Sequence, residues 1–181
     1  AMIALSLLLL VGLFVPGTTE QDEFALFVRV LSPATLAYTY EIIPAMFGPD
    51  RASYQHVLRN VRLEAASLSE SCNGLEEDMT GKVVIMPRGE CSFMDKVAHA
   101  EAANALFALI TEANSSSTTT ISMSRGDDTR TIHTPSAYIA GSSGSRMHRY
   151  LTMSNEPVLA DLPINGTDIG ILYEKAPWEI W

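Results

Sequence analysis

The chain has 181 residues, of which 47% are hydrophobic and 18% are charged, and its net charge is −9 at pH 7. This length suffices for one domain with a real hydrophobic core. The acidity argues against a nucleic-acid-binding protein, which needs a basic surface to neutralise phosphates, and it opposes attachment to anionic membranes.

The apolar run Ile3–Val15 is typical of the hydrophobic part of a signal peptide. Its roughly thirteen residues are too few for a helix across a bilayer, which takes about twenty. A signal anchor or a buried strand are the alternatives. We expect a signal peptide over residues 1–19, cleavage near Gly17–Thr19, and a secreted domain over residues 20–181 without a membrane span.

Three segments near the N-terminus favour strands. Phe24–Leu31 and Ala37–Ile43 alternate between apolar and polar residues, and the turn between them predicts a hairpin. His56–Leu63 has a mixed composition that favours an edge strand. The small, polar and acidic residues of Ala65–Glu77 predict a surface loop.

The clearest unit is a strand, a helix and a second strand. Lys82–Met86 and Leu106–Ile110 are short apolar runs that suit strands covered on both faces. Between them, Ser92 followed by Asp95 predicts an acidic capping box, and Asn104 predicts the helix end. We expect two parallel strands in a right-handed connection, with the helix leaving Lys96 and Glu101 to water.

The remaining chain alternates between loops and short elements. Asn114–Thr120 and Ser124–Asp128 predict a long exposed loop with a short hairpin around Thr119–Met123. The later elements are a strand over Ala137–Ala140, a turn over Gly141–Gly144 that leads into a helix running to about Met153, and two strands over Val158–Ile164 and Ile169–Tyr173. The predicted class is α+β, a small β-sandwich or open barrel with flanking helices.

Several segments together resemble the protease-associated domain family. They are Gly81–Ile85, Arg88–Phe93, Lys96–Val97, Thr134–Ile139 and Met147–Leu151. The ending, through Pro177–Trp181, resembles that of a secreted member that consists of this domain alone. The resemblance implies the same fold and a non-enzymatic module that binds proteins or peptides. In larger relatives such a domain accompanies a protease, a sorting receptor or a luminal ubiquitin ligase.

The two cysteines, Cys72 and Cys91, suit an oxidising compartment, where an even count usually means pairing. A bridge would close a loop of about twenty residues and contribute on the order of 3 kcal/mol. Two buried free thiols are the alternative. A zinc site is disfavoured because no pair of histidines lies near the two sulfurs.

No catalytic or cofactor-binding constellation emerges from the sequence. Gly141–Ser145 falls one glycine short of a nucleophile elbow, and turn chemistry alone explains it. The histidines are scattered singly, and the acidic run Glu76–Asp78 suits a solvated loop better than an acid/base pair. The four histidines are His56, His99, His133 and His148. We therefore expect no enzyme, no metal and no cofactor.

Short surface motifs point to binding and modification. Asn114 and Asn165 begin glycosylation sequons in predicted loops. Arg125–Asp127 is an Arg-Gly-Asp tripeptide of the kind that integrins recognise. Trp178 and Trp181 give the tail an apolar edge that should pack on the domain, with a binding hot spot as the alternative.

Taken together, these features predict a secreted, monomeric glycoprotein that binds an unidentified protein or peptide. The contact surface should involve the Arg88–Gly89 turn and the 113–130 segment. An accessory subunit of a protease, or of a luminal sorting or ubiquitin-ligase complex, is the alternative.

Overall fold

The computed structural model describes residues 25–113 and 120–166, and these fold into a closed barrel of seven strands. The strands are β1 (Leu26–Ser32), β2 (Thr39–Pro44), β3 (Leu58–Ala65), β4 (Lys82–Pro87), β5 (Phe107–Thr111), β6 (Ser136–Ile139) and β7 (Val158–Asn165). The α-helices are α1 (Leu68–Asn73), α2 (Phe93–Ala102) and α3 (Gly141–Met153). A short 3₁₀ helix covers Arg51–Gln55.

The strands follow the order β1-β2-β6-β5-β4-β3-β7 around the barrel, and β7 closes it against β1. Strands β3, β4, β5 and β6 are mutually parallel, whereas the other neighbours are antiparallel. The expectation of a sandwich or an open barrel is therefore wrong in one respect, because the barrel is closed. The expected edge position of β3 is also wrong, because β3 pairs with both β4 and β7.

Two hydrophobic clusters hold the described chain together. The first fills the barrel and includes Val83, Ile85 and Leu109. The second lies outside the parallel strands, where Val84 and Ile110 pack beneath α2 and the loop that precedes β6. Strands β4 and β5 are thus buried on both faces, as their continuous apolar sequences indicate.

The segment predicted as a surface loop before β4 contains helix α1. Ser67 caps this helix: its side chain accepts from the Glu70 N–H at 3.2 Å, and Glu70 accepts from the Ser67 N–H at 2.8 Å. A short polar helix has no apolar stripe for sequence reasoning to detect, but the Ser-x-x-Glu spacing was a usable signal.

Helix α2 lies in sequence between the parallel neighbours β4 and β5. It begins with the predicted capping box, in which the Ser92 side chain accepts from the Asp95 N–H at 3.0 Å. Asn104 adopts the left-handed conformation (φ 64°) just after the helix ends. The right-handed sense of this strand–helix–strand connection stays a prediction.

The later elements differ in detail from the expectation. Residues 120–123 form no strand, so the predicted hairpin around Thr119–Met123 is not seen in its described part. Helix α3 already begins at Gly141, so the predicted turn is part of the helix. Gly144 lets α3 pack closely against β5, since a Cβ there would lie 2.0 Å from the Thr111 hydroxyl. The predicted strand Ile169–Tyr173 and the tryptophan tail lie outside the described residues.

Candidate interaction surface

The carboxyl ends of β4, β5 and β6 meet at one end of the barrel because these strands run parallel. The loops that follow these strands converge there, and loops positioned by a rigid scaffold are where binding residues concentrate. The chain leaves β4 into a tight turn over residues 88–91, and this turn lies at the start of α2. Residues 88–91 are therefore the centre of the candidate site.

The backbone of this turn is tightly constrained. Gly89 and Glu90 both have positive φ, 125° and 61°, and the Cys91 N–H donates to the Gly89 carbonyl at 2.7 Å. Arg88 anchors the turn to the end of β5: its N–H donates to the Thr111 carbonyl at 2.7 Å, and its guanidinium lies 2.8 Å from Glu112. The side chains of Arg88 and Glu90 remain exposed.

A disulfide joins the turn to helix α1. Cys72 on α1 and Cys91 are bonded, with their Cα atoms 5.6 Å apart, so the structure pairs the two cysteines as predicted. The bridge closes a loop with a sequence separation of 19 residues. The bridge thereby links α1 to the turn that precedes α2, and we treat the two as one unit.

Lys96 lies fully buried beneath this unit, contrary to the expectation that it faces water. Its ammonium group lies 3.2 Å from the Cys72 sulfur. Burial lowers the pKa of Lys96, while the charges of Glu90 and Asp95 oppose that shift. Helical spacing alone could not reveal this burial, because the groups that cover Lys96 belong to α1 and to the turn rather than to α2.

The loop over residues 120–135 packs against α2 on the other side of the turn. Arg130 donates to the Asp95 carboxylate at 2.6 Å and also pairs with Asp128, lowering the pKa of Asp128 to about 2. Glu101 accepts the backbone N–H groups of His133 and Thr134 at 2.6 and 2.7 Å. Glu101 therefore binds the loop. The expectation that Glu101 faces water is wrong, because its carboxylate accepts these two hydrogen bonds.

Residues 88–91 and 120–131 thus flank the start of α2, and we call these two segments the two-loop surface. The sequence predicted a contact surface around the Arg88–Gly89 turn and the 113–130 segment, part of which lies outside the described residues. It could not show that Arg130 connects the second loop to Asp95 on α2. This surface displays exposed charges of both signs, among them Arg88, Glu90 and Asp127.

Comparison with known proteins settles the family of the chain. The PA domain family model matches residues 49–147. The PRADC1-like protein of Drosophila melanogaster is 34% identical over 158 residues, which cover 82% of this chain and 79% of that protein. The chain belongs to the PA domain family.

Solved structures with the same fold include two bacterial aminopeptidases. BSAP, a zinc aminopeptidase from Bacillus subtilis, gives a TM-score of 0.52 at 20% identity over 77% of this chain. The aminopeptidase from Aneurinibacillus sp. strain AM-1 gives 0.55 at 18% identity over 78% of this chain. The match covers 30% of either aminopeptidase, so the likeness shows the fold of a PA domain and nothing of their chemistry.

The structure shows where the histidines and the Ser-rich stretch considered for catalysis lie in this PA domain. His99 and His148 contact the backbone carbonyls of Ser71 and Ala66 at 3.0 and 2.8 Å, whereas His56 and His133 are exposed. The Ser-rich stretch that approached a nucleophile elbow forms the first turn of α3. Within residues 25–113 and 120–166, no group of three or more His, Cys, Asp or Glu side chains is placed to hold a metal ion.

The predicted modification sites are only partly within the described chain. Asn165 is the last residue of β7 and is half-buried, whereas Asn114 lies outside the described residues. Glycosylation of both asparagines stays a prediction. None of the helices in residues 25–113 and 120–166 has the length and apolar character needed to cross a bilayer.

Sequence reasoning missed a depression of about 340 Å³ at the C-terminal end of α3. It is lined by the basic residues Arg146 and Arg149, by the turn residues Thr35 and Leu36, and by others from α3. The two arginines sit one helical turn apart, which is a weak signal because charged residues at that spacing are common on solvated helix faces.

Proposed function

We propose that this PA domain is a non-enzymatic module of the secretory route that binds a protein or peptide partner through the two-loop surface. The observation that carries this proposal is the Arg130–Asp95 ion pair at 2.6 Å. This ion pair attaches the 120–131 loop to α2, and the disulfide-bonded turn lies directly before α2. Two segments distant in the sequence thereby become one contiguous contact area.

Rigidity supports a binding role for this surface. The turn over residues 88–91 is held by a disulfide, by the Arg88–Glu112 ion pair and by its own backbone hydrogen bond. A surface that is already ordered loses less conformational entropy when a partner binds, so more of the contact energy appears as affinity. The exposed charges would provide selectivity, because mismatched charges at an interface are costly.

Passage through an oxidising compartment supports the secretory part of the proposal. Disulfides persist in secreted proteins and in the lumen of the secretory pathway, and the Cys72–Cys91 bridge is of that kind. The apolar leader over residues 1–19 and the two sequons at Asn114 and Asn165 fit the same route. Secretion itself is part of what we propose.

Affinity capture of the full chain from secreting cells tests the proposal. Glu90→Lys reverses an exposed charge in the turn, and because the charge of Glu90 also acts on the buried Lys96, thermal unfolding of the variant checks that the fold is retained. We expect the variant to remove proteins that the unaltered chain captures. Arg149→Glu is the matched control, since it reverses an exposed charge in the depression at the other site.

The proposal fails if Glu90→Lys captures the same proteins as the unaltered chain, or if Arg149→Glu alone removes them. Light scattering on the purified chain adds a second readout, because a stand-alone module should be a monomer. Constant co-purification with a protease or a ligase would instead favour an accessory subunit.

A further inference from the structure

The tip of the 120–131 loop is an exposed turn formed by Arg125, Gly126, Asp127 and Asp128. We propose that this turn is a ligand for an integrin-type receptor, which offers a divalent cation to a carboxylate and an acidic pocket to a guanidinium. The inference rests on the proposed function, because the chain must reach the cell exterior and act by binding.

The backbone of the turn presents the tripeptide outward. The Asp128 N–H donates to the Arg125 carbonyl at 3.3 Å, which closes a four-residue turn. Gly126 has a φ of 60°, and a Cβ built there would meet nothing within 4 Å. The tip therefore faces open solvent, and Arg125 and Asp127 flank a glycine in a conformation that other residues rarely adopt.

Both flanks of the turn are anchored to the domain. On one side Met123 is fully buried, and its carbonyl accepts the Met46 N–H at 2.9 Å. On the other side Arg130 holds Asp128 and reaches Asp95 on α2. A turn fixed at both ends is ordered before binding, which distinguishes it from the same tripeptide in a loose segment.

The two charged groups that a receptor would contact are available. Within residues 25–113 and 120–166, the arginine ion pairs of the two-loop surface involve Arg88 and Arg130, and neither Arg125 nor Asp127 takes part in one. Asp128 is occupied by Arg130, so Asp127 is the carboxylate at the tip that can reach a metal ion. Carboxylate oxygens suit hard divalent cations, and guanidinium pairs with carboxylates in a bidentate manner.

The chain also contains a second turn with a similar tripeptide, which serves as a comparison. Arg88, Gly89 and Glu90 repeat the same spacing, but Glu90 carries one more methylene than aspartate and Arg88 is held by Glu112 at 2.8 Å. The structure therefore predicts that the turn at residues 125–128 binds the receptor and that the turn at residues 88–91 does not.

The test measures binding of the full, purified chain to a purified integrin ectodomain that recognises Arg-Gly-Asp peptides. Binding is followed with Mn²⁺ present and again with excess EDTA. Asp127→Glu keeps the charge and lengthens the side chain by one methylene. We expect it to weaken binding on the order of tenfold or more, because one charge-assisted metal contact is misplaced.

A second variant tests whether the Arg-Gly-Asp tripeptide is sufficient for binding or whether the turn at residues 125–128 is also needed. Glu90→Asp is added to the Asp127→Glu chain, so that the turn at residues 88–91 carries the tripeptide instead. We expect no recovery of binding, because Arg88 stays paired with Glu112. Unchanged thermal unfolding of both variants shows that the fold is retained.

The inference is overturned if the unaltered chain does not bind while a control peptide does, if EDTA has no effect, if Asp127→Glu binds equally well, or if Glu90→Asp restores binding. None of these results bears on capture through the turn at residues 88–91. The failure of this inference would therefore leave the proposed function standing.

Discussion

The outer faces of the two sides of the barrel carry different kinds of residues. On the parallel side, the outward residues of β4 and β5 are apolar and lie beneath α2 and the 120–135 loop. On the antiparallel side, the outward-facing Asp161 of β7 is held by Arg29 at 2.7 Å and by Arg59 at 3.1 Å. The covered side is thus the one that supports the two-loop surface, whereas the other side mainly closes the barrel.

The largest effect should come from the covered side. Ile110→Ala removes a fully buried side chain of β5 beneath α2, and we expect it to cost about 2–5 kcal/mol of unfolding free energy. Leu159→Ala on β7 is the comparison at a half-buried position on the antiparallel side, and roughly 1–2 kcal/mol is expected. Urea unfolding measures both values. Equal losses would contradict the claim that the covered side has a second core.

The disulfide should have the next largest effect on the same side. Replacing Cys72 and Cys91 together by alanine opens a loop of about twenty residues and should cost on the order of 3 kcal/mol. Hydrogen exchange should rise mainly in α1 and in residues 88–92. A uniform rise around the whole barrel would show that the bridge does not act locally.

Asp161 tests the antiparallel side. Asp161→Ala leaves Arg29, Arg59 and the Asn60 N–H without their common acceptor. We expect a loss of about 1–3 kcal/mol, reduced by the partial exposure of both arginines. Calorimetry of the two chains at neutral pH measures this difference.

The same carboxylate predicts a pH dependence. Burial raises the pKa of Asp161, but the hydrogen bonds from Arg29, Asn60 and Arg59 outweigh burial and lower it overall. Its stabilising contribution is therefore complete above the unfolded pKa of about 4 and is lost as the pH falls through the lower folded value. Asp161→Asn should show a shallower loss of stability over that acidic range. Identical acid profiles would rule out this role for Asp161.

Lys96 should give the smallest effect. Lys96→Met replaces a buried ammonium group by an apolar side chain of similar length, and we expect a change between zero and about 1 kcal/mol in favour of the variant. Because burial lowers its pKa, Lys96 should also make the unaltered chain more stable as the pH rises from the folded toward the unfolded value. The variant should lack that alkaline rise. A large loss of stability would instead mean that the Lys96–Cys72 contact is essential.

Local signals in the sequence predicted strands β4 and β5 and the start of α2 well. The apolar runs of β4 and β5 and the Ser92–Asp95 capping box depend on neighbours within a few residues, and the structure has them as expected. The pairing of Cys72 with Cys91 followed from a count of two. The strand and capping signals need no knowledge of the rest of the chain, and the pairing needs only the count of cysteines.

Features that depend on distant residues were predicted poorly. Strand β3 looked like an edge because its inner position depends on β7, about a hundred residues further along the chain. Lys96 looked solvated because the groups that cover it belong to other elements. The Arg130–Asp95 contact, which makes one surface from two loops, likewise joins residues that no sequence period relates.

Site-specific photo-crosslinking in secreting cells tests the central claim most directly. The crosslinker is placed in the full chain at Glu90 in the turn, at Thr129 in the loop, or at Arg149 in the depression, all of which are exposed. We expect the same partner protein to be crosslinked from positions 90 and 129 and not from position 149. Crosslinks from position 149 alone, or different proteins from positions 90 and 129, would contradict a single two-loop surface.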